Sequence, residues 1–399
     1  MADQQIEPDI YERLAEKMSN WPIRTPLSKE FRKILEALFT PEQAEILTVF
    51  NGPYVDQLTA EKIAKKIKRP LEEVKPILDE MARTQRIFSI ERDNTRTYSL
   101  MPLIPGLFEF FFANYKRAEA EEKENLELFA KEFEKYYSKG FAAEIGSSTN
   151  PMMRVILDQK VVEDSTKKGK GKLIKVDETI TEEVKHEILP FEQVKLFIEN
   201  IRSFAVMDCA CRTHMRIYNK GKPVNAYPIE SVCMIFGTWA NYCVQQGFAK
   251  ALTKEEALET LKRAAKAGLV HTTQNMTEKI TFICNCDRDC CVLLRGLTKF
   301  RNPNAVAKSN FIPEWSKDTC IFCEKCVDLC PMYAIQHHYG HEKDKTDEKI
   351  MINYDLCIGC GVCAYNCQKN AITMMKKFTN IPPEKPLDAA KQFVEGRIH

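Results

Sequence analysis

The spacing of apolar residues changes once between Pro41 and Leu100, from helical to extended. Ile46, Leu47 and Phe50 share one face of a helical stretch that starts at Pro41, and Thr59 is placed to cap a second, which carries Ile63, Ala64 and Ile67. After Arg69-Pro70, residues Leu71, Val74, Ile77, Leu78 and Met81 again recur at helical spacing. Pro76 lies among them without an amide donor, which predicts a kink or a later start. Two extended runs, 87–90 and 97–100, then flank a hairpin turn at Arg92-Asp93-Asn94.

Beyond Pro105-Gly106-Leu107-Phe108 the chain is aromatic, and residues 114–137 read as one surface helix with Leu126, Phe129, Phe133 and Tyr136 on its core face. Residues 154–162 and 173–176 read as two strands joined by an exposed loop, 163–171, whose lysine run Thr166-Lys-Lys-Gly-Lys-Gly-Lys is taken as a solvated loop tip. Helical spacing resumes at Pro190, through Val194, Phe197, Ile198 and Ile201. A repeat closes the chain: the stretch from Asp318 to Cys330 aligns with that from Asp355 to Cys367 at an offset of 37 residues, and Ala334-Ile335 matches Ala371-Ile372.

With 399 residues and 44% hydrophobic content, the chain is long enough for several domains with buried cores. No stretch reaches the roughly 18 apolar residues of a membrane helix. The uncharged run 231–249 is broken by Thr238, Asn241, Gln245 and Gln246. The acidic, polar start Met1-Ala-Asp-Gln-Gln-Ile-Glu-Pro is the reverse of a signal peptide, so a cytoplasmic location is expected. In that reducing compartment the 16 cysteines point to metal thiolate sites rather than disulfides. A net charge of +2 implies no global attraction to nucleic acid.

Both copies of the repeat carry C-x2-C-x2-C-x3-C, the spacing of bacterial ferredoxins, which this segment resembles. Two intervening residues let three successive sulfurs turn toward one centre. In the two-cluster ferredoxins the fourth cysteine serves the other cluster. The resemblance therefore implies one 4Fe-4S cluster on Cys320, Cys323, Cys326 and Cys367, and a second on Cys357, Cys360, Cys363 and Cys330. Pro331 matches the family's trailing proline, and Gln368 replaces it in the second copy. Zinc is the competing reading, but zinc sites usually pair two C-x2-C knuckles across a longer spacer. The insert 340–349 between the motifs is charged and reads as a loop. Between Lys317 and Lys377 eight acidic side chains balance eight basic ones, which suits a module fixed in a complex better than a free carrier.

Eight cysteines remain, of which Cys243, behind Trp239 on an amphipathic helix, reads as core. Cys209, Cys211, Cys233, Cys284, Cys286, Cys290 and Cys291 are candidate metal ligands, because C-x-C can offer two sulfurs to one centre from an extended segment. One additional 4Fe-4S cluster, at most two, is the leading reading; zinc and metal-free thiols are the alternatives. His214 and His271 read as packing histidines before ligands. The run Cys209-Ala-Cys211-Arg212, Pro228 through Gly237, Ala267-Gly-Leu-Val-His271 and Ile283-Cys-Asn-Cys286 with Cys290-Cys291, ahead of the dicluster segment, resembles a family of 4Fe-4S dicluster proteins from anaerobic bacteria and archaea. The resemblance covers about residues 108–378 and implies electron transfer within an oxidoreductase complex. Asp287 and Asp289 stand where other members carry cysteine, implying fewer clusters or a carboxylate ligand.

The expected fold is multi-domain α+β. It comprises a helical start and winged-helix-like domain (1–104), a connecting helix and β-hairpin (105–189), a mainly helical cysteine-rich domain (190–314), a ferredoxin-like βαβ-repeat dicluster domain (315–378) and a tail (379–399). The expected function is that of an iron-sulfur electron-transfer subunit with a redox protein or a catalytic oxidoreductase subunit as partner. The sequence has no nucleotide-binding glycine fingerprint or phosphate loop for a catalytic cofactor of its own. Two other readings are an iron-sulfur redox sensor on DNA and an oxidoreductase with an open site at the middle cysteines. Against DNA, the helix from Leu71 carries Glu72, Glu73, Asp79 and Glu80 against Lys75 and Arg83, the wrong sign for phosphate, although Lys62, Lys65, Lys66, Lys68 and Arg69 precede it.

Overall fold

The computed structural model describes residues 8–167, 192, 194–199, 201–225, 232–341 and 347–398. The chain divides into two units, residues 1–145 with 208–229 and residues 146–207 with 230–399.

In the first unit, helices Pro41–Leu47, Ala60–Ile67 and Leu71–Arg83 accompany a small antiparallel sheet of β1 (Leu58–Thr59), β2 (Phe88–Arg92) and β3 (Thr95–Ser99) in the order β1-β3-β2. Thr59 caps its helix by accepting from Lys62 N, as its position predicts. The hairpin turns on Asp93 and Asn94, both at positive φ (49° and 59°), a primed turn that these two residue types tolerate. The third helix starts at Leu71 and runs through Pro76, which is exposed, so the carbonyl it leaves unbonded can meet water.

The single helix expected over 114–137 is two, Tyr115–Glu121 and Lys123–Tyr136. The break falls at Glu122, whose carboxylate pairs with Arg86 and, at 2.7 Å, with Arg117. Phe108, Phe112, Phe129 and Phe133 form an aromatic core, with Phe108 and Phe133 ring centroids 4.3 Å apart. His214, on helix Ala210–Tyr218, is buried among these rings, and its Nε2 lies 3.0 Å from the Ala130 carbonyl. It packs as the sequence suggests.

The second unit departs further from expectation. Strand β4 covers only Met153–Val155, and residues Gln159–Lys167, expected to be extended and then loop, are helical. Asp158 starts that helix by accepting from Lys160 N at 2.8 Å, while Val161, Val162 and Ser165 turn inward. The lysine run beyond residue 167 and the strand expected at 173–176 lie outside the described residues. The helix expected from Pro190 is observed over Val194–Glu199.

The middle segment is mixed α/β and not mainly helical. Strands β5 (Phe204–Met207), β6 (Cys233–Phe236), β7 (Ala249–Leu252), β8 (Val270–Gln274) and β9 (Phe282–Cys286) join β4 in an antiparallel sheet ordered β4-β8-β9-β6-β5-β7. Runs such as Phe-Ala-Val-Met and Cys-Met-Ile-Phe are apolar and, except for half-buried Met207, buried, so they lack the alternation by which a strand is recognised. Phe204, Val206, Met234, Phe236 and Ile283 from the sheet pack with Val194, Ile198, Ala257 and Leu261 from helices Val194–Glu199 and Lys254–Lys266. The latter begins with a reciprocal cap, Thr253 accepting from Glu256 N and Glu256 from Thr253 N. Replacing Thr253 with alanine should lower unfolding stability by about 1 kcal/mol, read as a shift of the urea midpoint at unchanged slope.

The C-terminal part continues with β10 (Phe311–Trp315), helix Lys325–Leu329, β11 (Ile335–His338), β12 (Lys349–Ile352), helix Val362–Tyr365 and β13 (Ile372–Lys376). β10 pairs with β13 and β11 with β12, so each repeat lends a strand to both pairs. This is the ferredoxin-like arrangement that the repeat predicts. Of the insert at 340–349, residues 342–346 lie outside the described residues. Among the described residues no helix is long and apolar enough to cross a membrane.

Candidate metal centre

The two cysteine loops share a backbone as well as a spacing. Phe322, Glu324 and Tyr333 have φ of 51°, 59° and 53°; Gly359, Gly361 and Asn370, each 37 residues later, have 68°, 74° and 48°. These left-handed positions turn backbone amides toward the sulfurs. Phe322 N reaches Cys320 Sγ at 3.4 Å and Gly359 N reaches Cys357 Sγ at 3.4 Å, while Ala334 N lies 3.2 Å from Cys330 Sγ and Ala371 N 3.1 Å from Cys367 Sγ. Amides aimed at sulfur favour the thiolate, the form that binds a cluster. Spacing alone did not reveal this design in the first copy. Its one sequence signal was Gly359-Cys-Gly361 in the second.

The fourth cysteine of each set comes from the other copy. Cys320, Cys323, Cys326 and Cys367 line one cavity together with Trp315, Ile350 and Ile372. Burial, then the neighbouring thiols Cys320, Cys367 and Cys323, push the Cys326 thiol up to about 11. Burial first, and then the neighbouring thiols, raise both Cys360 and Cys363: Cys357 and Cys330 act on Cys360, and Cys360, Cys357 and Cys330 act on Cys363, which brings the four thiols together. Thiols held up in this way bind a cluster with release of their protons, so cluster binding here is coupled to deprotonation. Two sets of four thiolates with amides on their sulfurs are the donor chemistry of a 4Fe-4S cluster. Among the described residues no three His, Cys, Asp or Glu side chains are arranged for a single metal ion.

Around the first loop, Phe322 stacks on His337 at 5.2 Å, and the imidazole sits between Glu324 (2.7 Å) and Glu348 (3.1 Å). Tyr339 and His337 hold the Glu324 carboxyl below its ordinary range.

The seven middle cysteines divide between the units. Cys209 and Cys211 fall in the first, at the start of helix Ala210–Tyr218. There Glu109 is pushed up to about 7 by burial, against the pull of the Gly106 amide at 2.7 Å, with Cys209 as a neighbour that raises it further. Cys233, Cys284, Cys286, Cys290 and Cys291 fall in the second unit. The β6–β9 register carries Cys233 opposite Cys284, and the Cys284 thiol is raised by hydrogen bonds to Cys233 and Cys286. Asn285, between them, faces the other way, its Oδ1 2.6 Å from His271 Nδ1. His271 is buried, with Asp158 3.9 Å from its other nitrogen, a packed rather than open site. Asp287 Oδ1 accepts from Asp289 N at 2.8 Å and Cys290 N at 3.1 Å, so that oxygen holds the turn before Cys290. Arg288 donates to the Cys330 carbonyl at 2.9 Å, a contact that cysteine spacing does not reveal. Cys243 is fully buried, and burial raises its thiol, in keeping with a core role.

Residues 319–379 match the family model of the 4Fe-4S dicluster domain. Over 67 residues, 17% of this chain, the sequence is 40% identical to pyruvate synthase subunit PorD of Methanothermobacter marburgensis, of which it covers 69%. It is 34% identical over 67 residues to the PorD subunit of Methanocaldococcus jannaschii, covering 70% of it. It is also 32% identical over 71 residues to NADH-quinone oxidoreductase subunit I of Pelobacter propionicus, covering 38% of that relative. The shared segment is an iron-sulfur electron-transfer module, and these similarities leave most of this chain uncovered.

Proposed function

The chain belongs to the family of 4Fe-4S dicluster ferredoxin-domain proteins, and from that premise we propose that it is the electron-transfer component of an anaerobic, cytoplasmic oxidoreductase complex. Cys320, Cys323, Cys326 and Cys367 would hold one cluster, and Cys357, Cys360, Cys363 and Cys330 the other. Each cluster supplies a one-electron reservoir. The residues of the chain aim amides at its sulfurs and set its potential through those contacts. The observation that carries the reading is the doubled geometry: two loops of equal spacing with left-handed turns at equivalent positions and amides on equivalent sulfurs. The named oxidoreductase subunits that share this segment support a partner that is itself a redox protein or a catalytic subunit.

A further cluster at the middle cysteines is part of the proposal, with Cys233, Cys284 and Cys286 as its best-supported ligands because their thiols already touch. The order of elements over 41–99, with a hairpin after the third helix, supports a winged-helix-like domain that docks protein. The acidic face of helix Leu71–Arg83 argues against DNA as its partner. Iron and sulfide analysis of protein prepared without oxygen, with redox-titrated EPR, tests the reading. About eight iron per chain is expected for two clusters and about twelve for three. A folded, iron-free chain that accepts no electrons from a low-potential dye would overturn it.

A further inference from the structure

The turn between Cys286 and Cys290 reaches into the ferredoxin module. Asp287 Oδ1 closes that turn on the amides of Asp289 and Cys290, and the side chain between them, Arg288, leaves it. Arg288 donates to the Cys330 carbonyl at 2.9 Å, and its guanidinium lies over the Tyr333 ring, 4.5 Å from the centroid. All of these residues belong to the second unit. Cys330 is the cysteine that the first copy lends to the second cluster, and its sulfur takes the Ala334 amide at 3.2 Å. One side chain therefore joins the middle cysteines to a ligand of the second cluster.

The repeat provides its own comparison. Cys367, 37 residues after Cys330, is its counterpart. The Cys330 carbonyl accepts from Tyr333 N at 3.3 Å and the Cys367 carbonyl from Asn370 N at 3.1 Å, so the local turns agree. Among the described residues no side chain donates to the Cys367 carbonyl, so the cation at this place is particular to Cys330.

Other charges lie near the second loop. Asp289 faces the guanidinium 3.8 Å from Nε, and with side-chain exposures of 29% and 37% that pairing is weak. Lys308 acts on Cys357 and donates to the Asp355 carbonyl, and the Asp355 side chain is of opposite sign. Both Lys308 and Asp355 are exposed, whereas the guanidinium is in hydrogen-bond contact with a ligand residue.

Resting on the electron-transfer reading above, we propose that Arg288 is a positioning residue of the second cluster, which fastens the turn of the middle cysteines to Cys330 and, by its charge, raises the potential at which that cluster accepts an electron. The step is the arrival of one electron from the first cluster or from a low-potential donor, and no bond forms or breaks. A reduced cluster carries one more negative charge, and a cation beside its ligand stabilises that form. The effect biases electrons away from the first loop, where Ile321 is 54% exposed, toward the second, where Ile358 is 2% exposed.

The test uses the full-length chain, loaded with clusters in the absence of oxygen, and redox-titrated EPR. The signal lost in Cys323→Ala identifies the first cluster, and that lost in Cys363→Ala the second. Arg288→Met keeps bulk and removes charge, and should shift the second cluster's reduction equilibrium about tenfold toward the oxidised form, which is about 59 mV for one electron. Arg288→Glu should shift it further the same way. Arg288→Lys keeps a charged donor and should shift it less than about threefold. The first cluster should move less than about twofold in all three. Asp289→Asn leaves the arginine in place, removes its countercharge and should shift the second cluster the opposite way.

The assignment is overturned if Arg288→Met, at full iron content, leaves the second cluster's potential unchanged or moves both clusters equally. Equal shifts in the Met, Lys and Glu variants also overturn it, since they report lost packing and not lost charge. So does a shift toward the oxidised form in Asp289→Asn, which remains readable if Arg288→Met loads poorly. Failure of the underlying reading is seen in the parental chain itself, which would lack iron, or carry iron that no low-potential donor reduces.

Discussion

A chain carrying Cys363→Ala should bind iron for one ferredoxin-type cluster in place of two, about four atoms fewer, and its second unit should unfold at markedly lower denaturant. Cys363 is buried and neighbours Cys360, Cys357 and Cys330, so it cannot be replaced by a side chain reaching in from solvent. Its loop also packs on the segment 309–311 and on helix Gln159–Lys167, which means that the cluster and the hydrophobic packing of this unit stabilise each other. When ligation is coupled to folding, the free energy of binding the metal is part of the stability of the fold. Iron and sulfide analysis gives the stoichiometry, and denaturant titration of the anaerobic protein gives the stability. Cys243→Ala is the informative contrast. That thiol is equally buried, within helix Gly237–Gln245, and the variant should retain its full iron complement while losing only packing. Equal iron loss in both variants, or none in either, would remove the case for Cys363 as a ligand.

The sequence made the ferredoxin repeat legible because its chemistry is local. Three sulfurs within seven residues can close on one centre only if the chain turns the same way each time, so the spacing encodes the loop. The core face of the helix around Phe129 and the cap at Thr59 were readable for a similar reason, since each depends on residues within a turn or two. Where contacts between distant segments decide the structure, local pattern does not encode it. Glu122 interrupts a good helical pattern because Arg86, 36 residues earlier, shares its carboxylate with Arg117. The sheet is not legible in the sequence because β5 and β6 are short and largely covered on both faces, so their pattern is that of any buried segment. The first half of helix Gln159–Lys167 reads as strand because Val161 and Val162 outweigh Asp158, the residue that starts it, and its second half reads as loop because it is polar. The middle cysteines were legible as a group in sequence only. The division of the chain between Met207 and Asp208 separates Cys209 and Cys211 from the other five, and no local pattern announces it.

Gly359→Ala should be among the most damaging single-methyl additions in this protein. A Cβ there would lie 2.2 Å from the Phe311 carbonyl oxygen and 2.2 Å from Ser309 Oγ, and the residue holds φ at +68°. The serine hydroxyl could rotate away at the cost of its bond to the Gly359 carbonyl, but the Phe311 oxygen belongs to β10, which is paired with β13 along five residues. The backbone must then shift, and the Gly359 amide shifts with it away from Cys357 Sγ, now 3.4 Å distant. Clash and left-handed strain together should lower stability by about 3 kcal/mol or more, and the second cluster should load poorly. At the equivalent place in the first loop Phe322 already carries a side chain at φ 51°, so Phe322→Gly should leave iron content intact and cost mainly its stacking on His337. The two loops bind through the same turn, and only in the second is that turn held against the surrounding core. Iron content and denaturation midpoints of these two variants, compared side by side, read that difference directly. Equal tolerance of both changes would mean that the second loop is as free of its surroundings as the first.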